Sequence, residues 1–213
     1  MDTYSRMTFG LLTACACFGQ SLSVGAIGGV RGTDDLTGAG ATSVSKRYVV
    51  GPALEIGLPL GFGVEVDALY RREGYQTGWG NFAYSVVSGE RANSWEFPML
   101  LKYHLPFPKI KPFLEAGIAP RTIRGTITSD FIQFFPVTTP LQHSTANTNW
   151  SVSNGFVAGG GIQIGIGRLR LSPMLRYTHW DKTAISGLYG DGPSWQSTQN
   201  QMDVLLGITW KIR

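Results

Sequence analysis

The chain has 213 residues, 18 Lys+Arg against 14 Asp+Glu, 28 glycines and only 15 % charged residues, with a mean hydropathy of zero. No stretch is long and apolar enough for a membrane-spanning helix, and no linker or charge block divides the chain. A net charge of +4 spread along the whole length gives no dense cationic face, so no nucleic acid is expected as a partner.

Residues 1–19 read as an export signal. Arg6 supplies the positive start, Met7 to Phe18 the apolar core and Cys17-Phe18-Gly19 a small-x-small cleavage site, while Leu12-Thr13-Ala14-Cys15 also resembles a lipoprotein box. Both cysteines, Cys15 and Cys17, fall in this segment. The remainder, 20–213, is expected to form one domain without disulfide or thiolate metal site.

Eight strand patterns follow. They run from about Ser21 to Arg31, Arg47 to Leu58, Phe62 to Tyr75, Ser94 to Leu105, Lys111 to Thr126, Trp150 to Ile164, Arg168 to Trp180, and Asn200 to Arg213. Connections alternate long and short. Pro59-Leu60-Gly61, Pro106-Phe107-Pro108 and Gly165-Ile166-Gly167 are tight, whereas the polar stretch after Arg31 with Asp34, Asp35, Gly38 and Gly40, then Gln76 to Asn93, Ile127 to Asn149 and Asp181 to Gln199, are expected to be four long loops. The last strand is the clearest: Met202, Val204, Leu206, Ile208, Trp210 and Ile212 share one side, and Gln201, Asp203, Leu205, Gly207, Thr209 and Lys211 the other. It exceeds the ~5–6 residues usual in globular sheets and suits a tilted strand crossing a bilayer.

Parity sorts the other strands in the same way. One face collects Arg31, Glu55, Glu65, Asp67, Arg71, Glu96, Lys102, Glu115, Arg121, Arg170, Arg176, Asp203 and Lys211. Alternation alone does not say which face is inward, since a soluble sandwich or lipocalin would show the same pattern with the charges out. Aromatics near strand ends, Tyr48, Tyr70, Trp95, Tyr103, Tyr177 and Trp210, match the girdles of a membrane barrel. Strand length and the exported N-terminus point the same way. The expected fold is therefore all-β, an eight-stranded antiparallel up-and-down transmembrane β-barrel closed by the first and last strands, with membrane lipids around it.

With the charges inward, Glu65, Asp67, Glu96 and Glu115 must meet Arg71, Lys102, Arg170 and Arg176, because an unpaired buried charge costs several kcal/mol. The expected interior is a plug of ion pairs, with glycines at Gly51, Gly57, Gly117, Gly159, Gly161 and Gly207 and Ala119 leaving room for long side chains. Pro52, Pro98, Pro112, Pro120 and Pro173 break the ladder somewhere, since each lacks an N–H.

The stretches SWEFPMLLKYHLP (Ser94 to Pro106), PFLEAGIAPR (Pro112 to Arg121), LRLSPMLRYTHW (Leu169 to Trp180) and NQMDVLLGITW (Asn200 to Trp210) resemble strands of the bacterial outer-membrane β-barrel family often labelled porin-like, similar in architecture to OmpA and OmpX barrels. The resemblance covers about Ser21 to Arg213 and implies an outer-membrane location. The chain departs from the family's terminal aromatic, since Trp210 is followed by Lys211-Ile212-Arg213.

Chemistry has little purchase here. His179 with Asp181, Ser186 and Ser194 is the one conceivable Ser/His/acid set, against a plainer interfacial histidine, and His104 and His143 stand apart. No metal, no cofactor and no catalytic site is expected. Phe131, Phe134, Phe135 and Pro136 make the third loop unusually apolar, as a hairpin packing on itself above the membrane or as a contact surface for lipid or protein. The expected role is structural or surface-interactive through the external loops, then a narrow solute or ion channel, then a lipid-modifying enzyme.

Overall fold

The computed structural model describes residues 21–107, 110–183, 186–187 and 195–212; the export signal expected over 1–19, and Ser194, lie outside them. The strands are β1 (Ser21–Arg31), β2 (Leu36–Gly38), β3 (Ala41–Ser43), β4 (Tyr48–Gly57), β5 (Phe62–Asp67), β6 (Leu69–Gly80), β7 (Tyr84–Glu96) and β8 (Met99–His104). They continue with β9 (Ile110–Gln133), β10 (Gln142–Ile166), β11 (Leu169–Trp180), β12 (Ser186–Gly187), β13 (Trp195–Ser197) and β14 (Asn200–Lys211). Every pairing among them is antiparallel.

Eleven of these strands share one sheet. Followed from neighbour to neighbour, its pairings lead from β1 through β4, β5, β8, β9, β10, β11 and β14 back to β1. The last step joins the chain's two ends over a register running from Ser23↔Lys211 to Arg31↔Asp203. On the outer side of this ring β6 and β7 take over from β5 and β8: β6 pairs with β7, and β7 with β9. The tight turns and the ends of β1 and β14 gather on one side, and the longer excursions on the other.

Prolines divide two of the strand runs. Pro52 accepts from Ala68 N (3.1 Å), Pro98 from Asp67 N (3.0 Å) and Pro120 from Phe97 N (2.9 Å), but none can return a bond. Pro98 and Pro120 lie on neighbouring runs, and Pro52 on β4 lies one run further round, beyond Asp67 and Ala68. Between β5 and β6 only Ala68 intervenes, and between β7 and β8 only Phe97 and Pro98, and side-chain alternation passes through both breaks unshifted. The ladder is interrupted, not the direction of the chain.

Two expected loops are strands. β6 runs to Gly80 and β7 starts at Tyr84, while β9 reaches Gln133 and β10 starts at Gln142, so most of Gln76 to Asn93 and of Ile127 to Asn149 continues the sheet. The reason is that water rather than hydrocarbon lies against the outer face: Thr, Ser, Gly and Asn serve there, and the apolar alternation that marks a lipid-facing strand fades. The first and fourth excursions also hold structure, since β2, β13 and β12 form a separate three-stranded sheet.

Candidate functional site

Side chains facing the enclosed side of the ring are the charged ones. Glu55, Glu65, Asp67, Arg71, Glu96, Lys102, Glu115, Arg121, Arg176 and Asp203 are each at most 3 % exposed. Their sequence neighbours Leu54, Val66, Trp95, Leu101, Leu114, Leu175 and Val204 are exposed on the outside. The molecule is thus turned inside out relative to a soluble sandwich, and water cannot favourably solvate such a wall.

Arg176 organises the inner half of the interior. Its Nε donates to Glu115 Oε1 (2.8 Å), Nη1 to Asp67 Oδ2 (2.8 Å) and Nη2 to Glu65 Oε1 (3.0 Å). Lys102 Nζ donates to Glu65 Oε2 at 2.5 Å and lies 3.5 Å from Glu115 and 3.7 Å from Glu55, with the Phe113 ring 4.6 Å away. Arg170, less enclosed, donates to Glu55 Oε1 (3.2 Å). Arg176 stands on β11 and its partners Glu65 and Asp67 on β5. These two strands lie four steps apart in either direction around the ring. One guanidinium therefore bridges opposite walls.

Toward the outer end Arg71 takes over. Its Nη1 and Nη2 grip Asp203 Oδ1 and Oδ2 at 3.1 and 2.6 Å, the bidentate geometry that a planar guanidinium offers a carboxylate. Arg71 Nε lies 2.9 Å from Glu96 Oε1 as an ion pair. Gln201 Nε2 donates to Asp203 Oδ2 (2.9 Å) and Trp180 Nε1 to Gln201 Oε1 (3.1 Å). Arg121 donates to Ser153 Oγ (3.0 Å) and stacks 3.8 Å from the Trp180 ring centre. Arg31 is buried near the outer end and Lys211 half-buried near the inner; neither belongs to the ion pairs above.

Glycine makes the space for this. A Cβ on Gly159 would sit 2.8 Å from Glu115 Oε1 and 2.7 Å from Leu175 O. The carboxylate that Arg176 holds occupies that volume instead.

Residues missed in the sequence complete the outer end. Glu73 and Glu90 are buried and inward; Glu73 continues the parity of Glu65, Asp67 and Arg71 within the expected third strand and was passed over, whereas Glu90 lies where a loop was expected, which hid its parity. Tyr75, Ala92 and Ile123 pack with Trp195 of the small sheet, Tyr75 and Trp195 having ring centres 5.5 Å apart. The excursion holding β13 thus folds back over the interior. Only the aromatic Trp195 within a polar loop could have signalled it.

Outside, the aromatics form two levels. Tyr48, Tyr70, Trp95 and Tyr177 stand at the outer end and Phe62, Tyr103 and Trp210 at the inner, with Tyr70 against Trp95 (5.3 Å) and Phe62 against Tyr103 (5.0 Å). From Phe62 to Tyr70, from Trp95 to Tyr103 and from Met202 to Trp210 the separation is the same, ~26 Å of strand and about 20 Å of height at a barrel tilt. His179 lies beyond, exposed, with Nδ1 2.9 Å from Asn200 Oδ1, while Asp181 Oδ1 accepts from Asn154 N (2.9 Å).

The sheet of β6, β7, β9 and β10 stands well above the outer aromatic level. From Trp95 to Tyr84 it rises along ~35 Å of strand. Its tip carries Trp79 edge-on to Tyr84 (4.9 Å), Tyr84 near Phe131 (6.1 Å) and Phe82 near Phe135 (6.4 Å). Phe82 is 85 % exposed, Phe135 62 %, Val137 70 % and Leu141 62 %. The third connection packs on the second, and still leaves an apolar face in water.

No family model and no curated protein matches the sequence. Among solved structures, a major outer membrane protein from Thermus thermophilus aligns over 91 % of this chain and 100 % of its own, at 10 % identity and a TM-score of 0.54. OprG from Pseudomonas aeruginosa aligns over 92 % and 97 % at 13 % identity and a TM-score of 0.47. Neisserial surface protein A aligns over 91 % and 97 % at 11 % identity and a TM-score of 0.40. The likeness to the Thermus protein, together with charges within and hydrocarbon without, gives this chain the fold of the bacterial outer-membrane β-barrel proteins.

Proposed function

We propose that the protein is an eight-stranded barrel of the bacterial outer membrane, closed along its axis, that acts through the apolar tip of its external sheet. Counting β5 with β6 and β7 with β8, the ring holds eight strands, and the long excursions lie outside the cell. The guanidinium of Arg176, reaching from β11 to the carboxylates of β5, supports an interior closed to solutes. The observation that supports a binding role is the exposed cluster of Phe82, Phe135, Val137 and Leu141 on a stalk far from the bilayer. Surface this apolar is costly in water unless a partner covers it. The partner is an apolar face of a protein or lipid assembly, and no catalytic step is required of the barrel.

The test is attachment. Cells displaying the protein should adhere to phosphatidylcholine-coated or matrix-protein-coated surfaces, and Phe82→Ser with Phe135→Ser should reduce adhesion severalfold while the barrel still inserts. Equal adhesion by the variant would overturn the reading. A channel is the alternative: planar bilayers carrying refolded protein should stay silent, and a steady current that scales with salt would favour it.

A further inference from the structure

A band of basic side chains lies on the outer wall immediately beyond the outer aromatic level, in a place that neither the ion pairs of the interior nor the external tip explains. Arg72 on β6, Arg91 on β7 and Arg124 on β9 are all exposed, as is Lys46 just before β4. Register places them together. Arg72 opposes Asn93, Asn93 opposes Arg124, and Gly74 opposes Arg91, while Lys46 N donates to Arg72 O (2.9 Å). Arg72 and Arg124 thus sit two strands apart at one height, about 10 Å between backbones, with the uncharged Asn93 between them.

The wall at this height is cationic. Outward positions of β6, β7 and β9 from Tyr70, Trp95 and Ile118 up to Thr128 hold no carboxylate, and Glu73 and Glu90 point inward. Two concavities flank Asn93. One is lined by Trp95, Phe97, Thr122 and Arg124, the other by Val44, Lys46, Arg72, Glu73, Gly74 and Arg91, three cations to the one buried carboxylate of Glu73. In the first, Trp95 and Phe97 are near-parallel, 6.5 Å apart, and form an apolar floor that rises into the guanidinium of Arg124. Asn93 is itself fixed, since Tyr70 Oη donates to its Oδ1 (2.7 Å).

An apolar floor at the top of the hydrocarbon belt, ending in cations on two sides, fits an amphiphile held at the membrane surface. We infer that this wall binds an outer-leaflet lipid whose headgroup carries two phosphates, one at Arg124 and one at the Lys46, Arg72 and Arg91 group, with an acyl chain on Trp95 and Phe97. Guanidinium groups match phosphate geometry and gain from the low dielectric of the headgroup layer. The inference goes beyond the adhesive role of the tip and is independent of it.

Native mass spectrometry of the refolded protein in detergent tests it, with diphosphoryl lipid A, monophosphoryl lipid A and phosphatidylcholine as separate probes. One diphosphoryl lipid A per protein should be retained in preference to the other two. Arg72→Gln with Arg124→Gln should weaken retention about thirtyfold and each single variant about fivefold, while Arg168→Gln on the opposite rim should change nothing. The inference is overturned if the double or single variants retain the lipid as the wild type does, if Arg168→Gln loses it equally, or if one phosphate serves as well as two.

Discussion

At Arg176 the chain commits one guanidinium to three carboxylates, Glu65, Asp67 and Glu115, all buried. Removing a buried ion's partner leaves the full desolvation cost uncompensated. Arg176→Met should therefore lower stability by about 3–5 kcal/mol in urea unfolding from lipid vesicles. Arg170→Gln, acting on the partly open Arg170 near the inner rim, should cost about 1 kcal/mol or less. Equal losses would mean the interior is as wet as the rim. Gly159→Val tests the same cluster by volume, since its side chain meets Glu115 and the backbone of β11; a loss of about 1–3 kcal/mol is expected. Parity in the sequence was enough to put these residues on one face, but not to choose partners. Which acid meets Arg176 depends on the shear of the ring, which sets β5 opposite β11, and no local pattern encodes that.

For single elements, what could be read in advance depended on whether hydrocarbon lay against the strand. β14 and β11 alternate so cleanly because lipid demands an apolar residue at every second place, and both were expected within a residue or two of where they lie. β6, β7, β9 and β10 outgrew their expected bounds because their outer halves stand in water, where Thr126, Thr128 or Ser129 obey no such demand. The break at Phe97 and Pro98 was foreseeable as a missing donor, whereas its alignment with Pro52 and Pro120 was not, since that needs the register of four neighbouring strand runs. Backbone stability should follow the same division. Amide exchange in micelles is expected to be slow over 113–121 and 99–104, and markedly faster over 84–92 and 126–131, where no bilayer shields the hydrogen bonds. Uniform protection along β9 would contradict that boundary.

For the whole molecule everything depends on which face of the ring touches hydrocarbon. The chain offers a direct way to ask, because Cys15 and Cys17 are its only cysteines and residues 20–213 contain none. Single cysteines at positions 202 to 208 of β14, refolded into phosphatidylcholine vesicles and spin-labelled, report contact with oxygen dissolved in lipid or with a water-soluble nickel complex. Oxygen contact should peak at Met202, Val204, Leu206 and Ile208, with Asp203, Leu205 and Gly207 shielded from both reagents. Nickel contact at the even positions, or oxygen contact at Asp203, would show the charged face outward and contradict a barrel in the membrane.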